Sequence, residues 1–317
     1  MTGKGVKKMR DFWKKMTAIL LCITMAGAFA ACGERDDWSD EASNIEKEEK
    51  PVIKVGSKDF TEGLLVSEIY ALALEDAGFE VERVFDIAGS LVHTALTSEE
   101  IDLYPEYTGT GLLSILGMDM ITDPQEVYDT VKEEYEKQFQ ITWLDYSQAN
   151  DGQGLAIRTA VAKKYNIKTI SDLQKHAGEL RFASQGDFDE REDGLPGLEK
   201  IYGEFNWKST KVYDGGLKYE VLKKDQADVT PAYTTDGALA DTENLTLLED
   251  DKRCWPPYNL APVVRDDVLN ANPEIADALN KVSKELTTEN LTQMNGRIDV
   301  DKEEYEDVAK EFYDSIK

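Results

Sequence analysis

Apolar and polar positions along the chain alternate between two periods. From Pro51 the run Val52-Ile53-Lys54-Val55-Gly56 fits a short strand, and Leu64 to Ala77 repeats its apolar positions at helical spacing before stopping at Gly78. Phe79 to Phe85 reads as a second strand, Leu91 to Thr97 as a helix, Ile101 to Tyr104 as a strand and Pro124 to Phe139 as a long helix. Further strands are predicted over 141–144, 154–158, 180–183, 211–213 and 245–248. Helices are predicted over 171–175, 197–202 and 219–224, and almost throughout 273–317. Strands that alternate with helices in this way predict an α/β protein.

The segments before Pro51 break that alternation. Lys4, Lys7, Lys8, Arg10, Lys14 and Lys15 precede an apolar run from Met16 to Ala31, the order of a secretory signal. The run falls short of the ~20 apolar residues of a membrane-spanning helix and gives way to Cys32, Gly33 and the polar Glu34-Arg35-Asp36-Asp37. Residues 1–31 therefore read as a removable signal peptide. The junction Ala28-Phe29-Ala30-Ala31-Cys32 resembles the lipobox of bacterial lipoproteins, in which the cysteine sulfur takes a diacylglycerol; Phe29 stands where an aliphatic residue is usual. Each buried lipid methylene contributes about 0.8 kcal/mol, enough for a few chains to hold a protein at a membrane surface. Residues 32–50 then read as a lipid anchor followed by a flexible acidic tether without apolar periodicity.

Charge and cysteine usage narrow the function classes. The 317 residues carry a formal charge of −27, and loss of the signal, with its six basic residues and Asp11, takes this to −32. Nucleic acid is excluded as a partner, because a phosphate polymer needs a basic stripe. The remaining 286 residues exceed the ~100–150 of a typical domain, so two lobes are expected. Cys22 leaves with the signal and Cys32 is acylated, which leaves Cys254, beside Trp255, as a buried small hydrophobe with no disulfide partner. His93 and His176 have no metal-ligand spacing, so neither a zinc site nor a Ser-His-Asp site is expected, nor any cofactor. The chain has no Gly-x4-Gly-Lys-Ser/Thr sequence of the kind that cradles nucleotide phosphates.

Six blocks carry a resemblance to a known family. They are Gly56-Ser57-Lys58-Asp59-Phe60-Thr61-Glu62, Asp102-Leu103-Tyr104-Pro105-Glu106-Tyr107-Thr108-Gly109-Thr110, Arg191-Glu192-Asp193-Gly194-Leu195-Pro196-Gly197-Leu198, Gly216-Leu217-Lys218-Tyr219, Asp228-Val229-Thr230 through Tyr233 to Asp236, and Pro256-Pro257-Tyr258. In order and spacing the chain resembles the substrate-binding proteins of osmoprotectant ABC importers, over nearly all of residues 52–313. The resemblance implies a two-lobe, type II periplasmic-binding-protein-like fold, each lobe a mixed sheet flanked by helices, with the ligand in the interlobe cleft. Lobe I would take residues 52–150 plus 257–317 and lobe II residues 151–256. It also implies a monomeric, extracytoplasmic protein, lipid-anchored to the outer face of the bacterial cell membrane. Such a protein delivers glycine betaine, carnitine, choline or a similar quaternary ammonium solute to an ABC permease and its ATPase.

The chemistry of that solute explains the residues involved. A trimethylammonium head has no N–H to donate, so it is gripped by aromatic faces, each cation–π contact contributing roughly 0.5–2 kcal/mol. The resemblance places Tyr107, Tyr233 and Tyr258 at cage positions. It gives a ligand carboxylate to Lys58 and Arg191, with the Thr110 hydroxyl as a neutral donor. Asp151 is placed to face the cation or hold the cage, and Gln153 stands where the family often has a further cage tyrosine. Tyr104, Tyr202, Tyr213, Tyr219 and Trp255 read as packing residues. Two other readings are a solute sensor of the same fold and an anchored hydrolase using Asp102 with Glu106, or Asp187 with Asp193. The second is disfavoured because close pairs arise by chance among sixty-three carboxylates.

Overall fold

Two sheets are built on one plan. The first has the order β2 (Glu80–Ile87), β1 (Val52–Lys58), β3 (Leu103–Tyr107), β10 (Leu260–Arg265), β4 (Ile141–Trp143). The second has the order β7 (Ser209–Val212), β6 (Arg181–Ser184), β8 (Val229–Tyr233), β5 (Gln153–Arg158), β9 (Leu245–Leu247). In each, the first three strands are parallel and the fourth runs antiparallel to both its neighbours. This computed structural model describes residues 50–190 and 193–317, without the side chain of Asp187. The signal peptide, Cys32, the tether up to Glu49, and Arg191 lie outside the described residues.

Both faces of each sheet are covered, as sheets with parallel strands require. Helices Thr61–Asp76, Glu274–Glu285 and Tyr305–Ile316 bury Leu65, Ile69, Leu279, Val282 and Val308 against one face of the first sheet. Helices Val92–Thr97 and Pro124–Phe139 bury Leu96, Val131 and Tyr135 against the other. Pro124–Phe139 has the bounds its sequence predicts, because both ends carry local signals. Asp123 accepts the N–H groups of Gln125 and Glu126, Pro124 takes the first position, and Gln140 ends the helix at a φ of 59°. In the second half, Leu173, Leu198, Tyr202, Cys254 and Trp255 pack on one face and Val221, Leu222 and Leu239 on the other. Burial pushes the Cys254 thiol up to about 12, with Asp250 adding to it. His93 sits edge-on to Tyr135 and Phe139, and its partial burial lowers its pKa.

The strand pattern in the sequence fails where proline lies inside a strand. β3 continues past Tyr104 to Tyr107 through Pro105, and neither β8, with Pro231, nor β10, with Pro262, has an apolar run that reads as a central strand. Pro105 and Pro262 lie directly opposite each other. Neither has an N–H, so they occupy a pair that exchanges no ladder bonds. The Pro262 carbonyl is still used, accepting Leu144 N–H at 3.0 Å.

The chain passes between the sheets twice, after β4 and after β9, and the two passages pair. Asn150 bridges Asn259 in antiparallel fashion, Asp151 N–H donates to Tyr258 O at 3.0 Å, and Leu260 N–H donates to Ala149 O at 3.1 Å. A second junction forms where Gly237 meets helix Thr288–Asp299 at Gly296. A Cβ on Gly237 would lie 2.6 Å from the Asn295 carbonyl, so only glycine permits that approach. Beside it, Asn295 Nδ2 donates to Thr235 O at 3.0 Å.

Candidate solute-binding cleft

The carboxyl ends of β1 and β3 from the first sheet and of β8 from the second meet at one cavity of about 550 Å³, the position at which open α/β sheets place ligands. β1 delivers Lys58, the loop after it Phe60, and the first turn of helix Thr61–Asp76 delivers Glu62. β3 ends at Tyr107, with Thr110 just beyond. The first interlobe passage supplies Asp151, the start of β5 Gln153, and the second passage Tyr258. β8 ends at Tyr233, followed by Thr235 and Asp236, and helix Thr288–Asp299 adds Asn295 and Asp299.

The rings differ in their settings. Tyr233 is 47% exposed, and its ring lies 5.6 Å from Lys218 Nζ. Its backbone N–H donates to Asp236 Oδ2 at 2.9 Å, and the same carboxylate takes Lys218 Nζ at 2.7 Å and the Tyr219 hydroxyl at 2.5 Å. Tyr258 is half-buried and reaches the cavity over Gly109, where a Cβ would come within 2.7 Å of its ring. Tyr107 is buried, and its hydroxyl donates to Glu62 Oε1 at 2.8 Å. The Phe60 ring stands 6.3 Å from the Tyr107 ring at 32° and is 38% exposed.

The polar groups are unevenly compensated. Lys58 is buried, pairs with Glu106 and lies 4.9 Å from the Tyr107 ring centroid. Glu106 also accepts the Tyr104 hydroxyl at 2.8 Å. Gln153 Nε2 donates to Asp193 Oδ2 at 2.7 Å. Asp151 accepts the Thr235 hydroxyl at 2.6 Å; burial raises its carboxyl to about 6, with Asp236 adding to the rise and Thr235 opposing it. Glu62 accepts Tyr107 and, at 2.8 Å, Asn295 Nδ2; burial first and Asp151 second push its carboxyl up to about 8. Both groups show the rise that desolvation and a like charge impose on a carboxylate.

The structure brings Lys58, Tyr107, Thr110, Asp151, Gln153, Tyr233 and Tyr258 around this cavity. Arg191 lies outside the described residues. Reasoning from the sequence passed over Phe60, Glu62, Thr235 and Asn295. The first two lie inside the quoted block Gly56 to Glu62, whereas Asn295 has no local signal, since its place depends on a helix packed from the far end of the chain. Tyr202 packs in the second half, its hydroxyl donating to Asp250 at 2.5 Å and accepting Lys252 N–H at 2.8 Å. Trp255 Nε1 donates to Asp193 O at 2.7 Å. Asp102 accepts Lys54 N–H at 2.8 Å and pairs with Arg265, and Glu106 holds Lys58, so each is bound into the fold. Among the described residues no group of three or more His, Cys, Asp or Glu could hold a metal ion.

Residues 51–315 match the family described as the substrate-binding domain of the ABC-type glycine betaine transport system. The chain belongs to that family. It is 36% identical to the carnitine transport binding protein OpuCC of Listeria monocytogenes, over 83% of this chain and 86% of that one. It is 31% identical to a glycine-betaine-binding protein of Pseudomonas aeruginosa, over 92% of each. Among solved structures, one titled as a glycine betaine/carnitine/choline ABC transporter superposes with a TM-score of 0.78 at 29% identity, covering 83% of this chain and 98% of that one. The fold is the α/β, type II fold of this family, two mixed sheets flanked by helices. Among the described residues no helix is long and apolar enough to cross a membrane.

Proposed function

We propose that this substrate-binding protein captures a quaternary ammonium compatible solute in the cleft between its two sheets and delivers it to a membrane permease driven by an ATPase. The observation that carries this reading is the placement of Tyr107, Tyr233 and Tyr258, with Phe60 beside Tyr107, around one cavity that also holds several carboxylates. Aromatic faces and anionic groups are what a head without N–H donors requires. A cavity of about 550 Å³ falls in the range of small-molecule sites.

In this reading residues 52–150 plus 257–317 form one lobe and residues 151–256 the other, and they close by a hinge motion about the paired passages at Asn150 and Asn259. The protein acts without turnover, as a monomer. It works outside the cell, tethered by residues 33–50 to a lipid on Cys32 after removal of residues 1–31. Thr110 and Gln153 offer hydrogen bonds to the ligand's far end, and Lys58 and Arg191 the positive charge for a carboxylate if it has one.

Calorimetry of the protein against glycine betaine, carnitine, choline, proline betaine and proline tests the reading. Saturable binding of at least one quaternary ammonium compound, lost in Tyr233→Ala and Tyr258→Ala, is expected. Binding of proline alone, or undiminished binding by both variants, would refute it. Mass spectrometry of the membrane-associated protein tests the anchor, which requires acyl chains on an N-terminal Cys32.

A further inference from the structure

One helix joins the two halves of the molecule along its length. Thr288–Asp299 lies in the C-terminal stretch that the proposed first lobe includes, yet one face of it follows the other lobe and the passage into it. Thr288 Oγ1 accepts Asn150 N–H at 3.0 Å, and Thr287 before it bridges Gln148. The Thr292 hydroxyl lies 3.4 Å from Thr234 O, and Asn295 Nδ2 donates to Thr235 O at 3.0 Å. A Cβ on Gly296 would lie 3.0 Å from the Ala240 Cβ and the same distance from Gly237 O. Positions 288, 292, 295 and 296 fall at the i, i+4, i+7 and i+8 spacing of a single helix face. At about 1.5 Å per residue they span roughly 12 Å, so the joint is a line and not a point.

Thr234 makes this joint continuous with the first passage. Its hydroxyl donates to Asn150 O at 2.5 Å and accepts Gly152 N–H at 2.9 Å. At the far end, Gly237 and Gly296 bring two backbones together with no side chain between them, which leaves nothing interlocked to resist a small rotation. The outer rims of the cleft are built on other strands. β2 and β7 stand at the opposite end of each sheet order from β4 and β9, after which the chain crosses. Leu91 follows β2 and Leu217 follows β7, 57% and 52% exposed.

On the reading that the two lobes close by a hinge, we propose that helix Thr288–Asp299 is the hinge pin. The closure axis runs along it, and the contact from Asn150 to Ala240 stays formed whether the cleft is open or closed. A rotation displaces each atom in proportion to its distance from the axis. Asn295, Thr235 and Asp151, linked beside the pin, therefore form a wall of the cavity that stands before the ligand arrives. The rims after β2 and β7 travel furthest, so capture of the ligand is completed there.

Spin labels read the two places separately. The background is Cys22→Ala, Cys32→Ala and Cys254→Ala, checked by calorimetry to bind as the unsubstituted protein does. One pair of labels goes on Leu91→Cys and Leu217→Cys at the rims. Another goes on Lys223→Cys and Gln293→Cys, which line a small cavity of about 340 Å³ across the joint. With glycine betaine, carnitine or choline bound, the rim pair is expected to shorten and the joint pair to keep its distance. Ala240→Cys with Gly296→Cys supplies a second test, because their Cβ atoms come within reach of a disulfide after a small shift. Oxidised, that variant is expected to bind with a dissociation constant within about twofold of its reduced form.

A joint pair that shifts as much as the rim pair overturns the pin, and so does a cross-link that abolishes binding which reduction restores. Both outcomes leave the hinge reading standing. Where the two cysteines do not bond, the joint-pair distance alone decides. Absence of a rim shift with all three solutes removes the hinge reading and this inference together.

Discussion

The side-chain oxygen of Asn150 accepts the backbone N–H of Tyr258 at 2.5 Å, so one interlobe passage fixes the position of a cavity ring carried by the other. Asn150→Ala leaves that N–H without its acceptor in a half-buried setting. A loss of about 1–2 kcal/mol in unfolding free energy is expected from urea titration, together with weaker ligand binding in calorimetry. Unchanged affinity would show that the Asp151 N–H to Tyr258 O bond and the ring contacts hold Tyr258 without Asn150.

Gly237 and Gly296 let backbones from the two lobes touch. In Gly237→Ala the new Cβ would have to displace the Asn295 carbonyl and with it the link to Thr235. Ligand affinity is expected to fall by about tenfold or more, equivalent to roughly 1.4 kcal/mol, and the melting temperature of the ligand-free protein to fall less than that of a core truncation. Small-angle scattering would then report a wider mean separation of the lobes than in the unsubstituted protein.

Tyr202 and Tyr258 separate stability from binding. Tyr202→Phe removes a hydroxyl bound to both Asp250 and Lys252, far from the cavity, and is expected to cost about 1–2 kcal/mol of stability with the dissociation constant unchanged. Tyr258→Phe keeps the ring and is expected to keep most of the affinity. Tyr258→Ala loses it at nearly constant stability, as calorimetry and thermal melts in parallel would show.

Asp228 gives an acid-side prediction. Burial alone would raise its carboxyl, but hydrogen bonds from Arg181, through side chain and backbone, and from Arg158 outweigh that and hold it near about 2. A carboxylate with a depressed folded-state pKa stabilises above its ordinary range and loses that contribution as pH falls toward the depressed value. The stability advantage of the unsubstituted protein over Asp228→Asn is therefore expected to shrink as pH falls from about 5 to about 2, measured by denaturant titration at each pH. Glu62 acts in the opposite sense, since its raised pKa makes ligand-free stability decline as pH climbs from its ordinary 4.5 toward about 8.

What the sequence discloses follows from the range of the forces involved. The helix Pro124–Phe139 is legible to the residue because Asp123, Pro124 and Gln140 act within a turn of its ends. The parallel strands β1 and β2 are legible from their own side chains. β8 and β10 are not, because tolerance of Pro231 and Pro262 depends on which neighbour faces each position, a property of the assembled sheet. The cleft divides the same way. Tyr107, Tyr233 and Tyr258 stand in blocks whose order is visible along the chain, whereas the pairing of Lys58 with Glu106 and of Asn295 with Glu62 joins residues 48 and 233 positions apart.

The position of β10 carries a consequence for how the two sheets are completed. All five strands of the second sheet lie in one unbroken stretch from Gln153 to Leu247. The first sheet has a vacancy between β3 and β4 that only residues 260–265 can fill. In a chain made from its amino end, every strand of the second sheet precedes β10, the strand that completes the first. Without residues 260–265, β3 and β4 have no common neighbour and the first sheet stays divided.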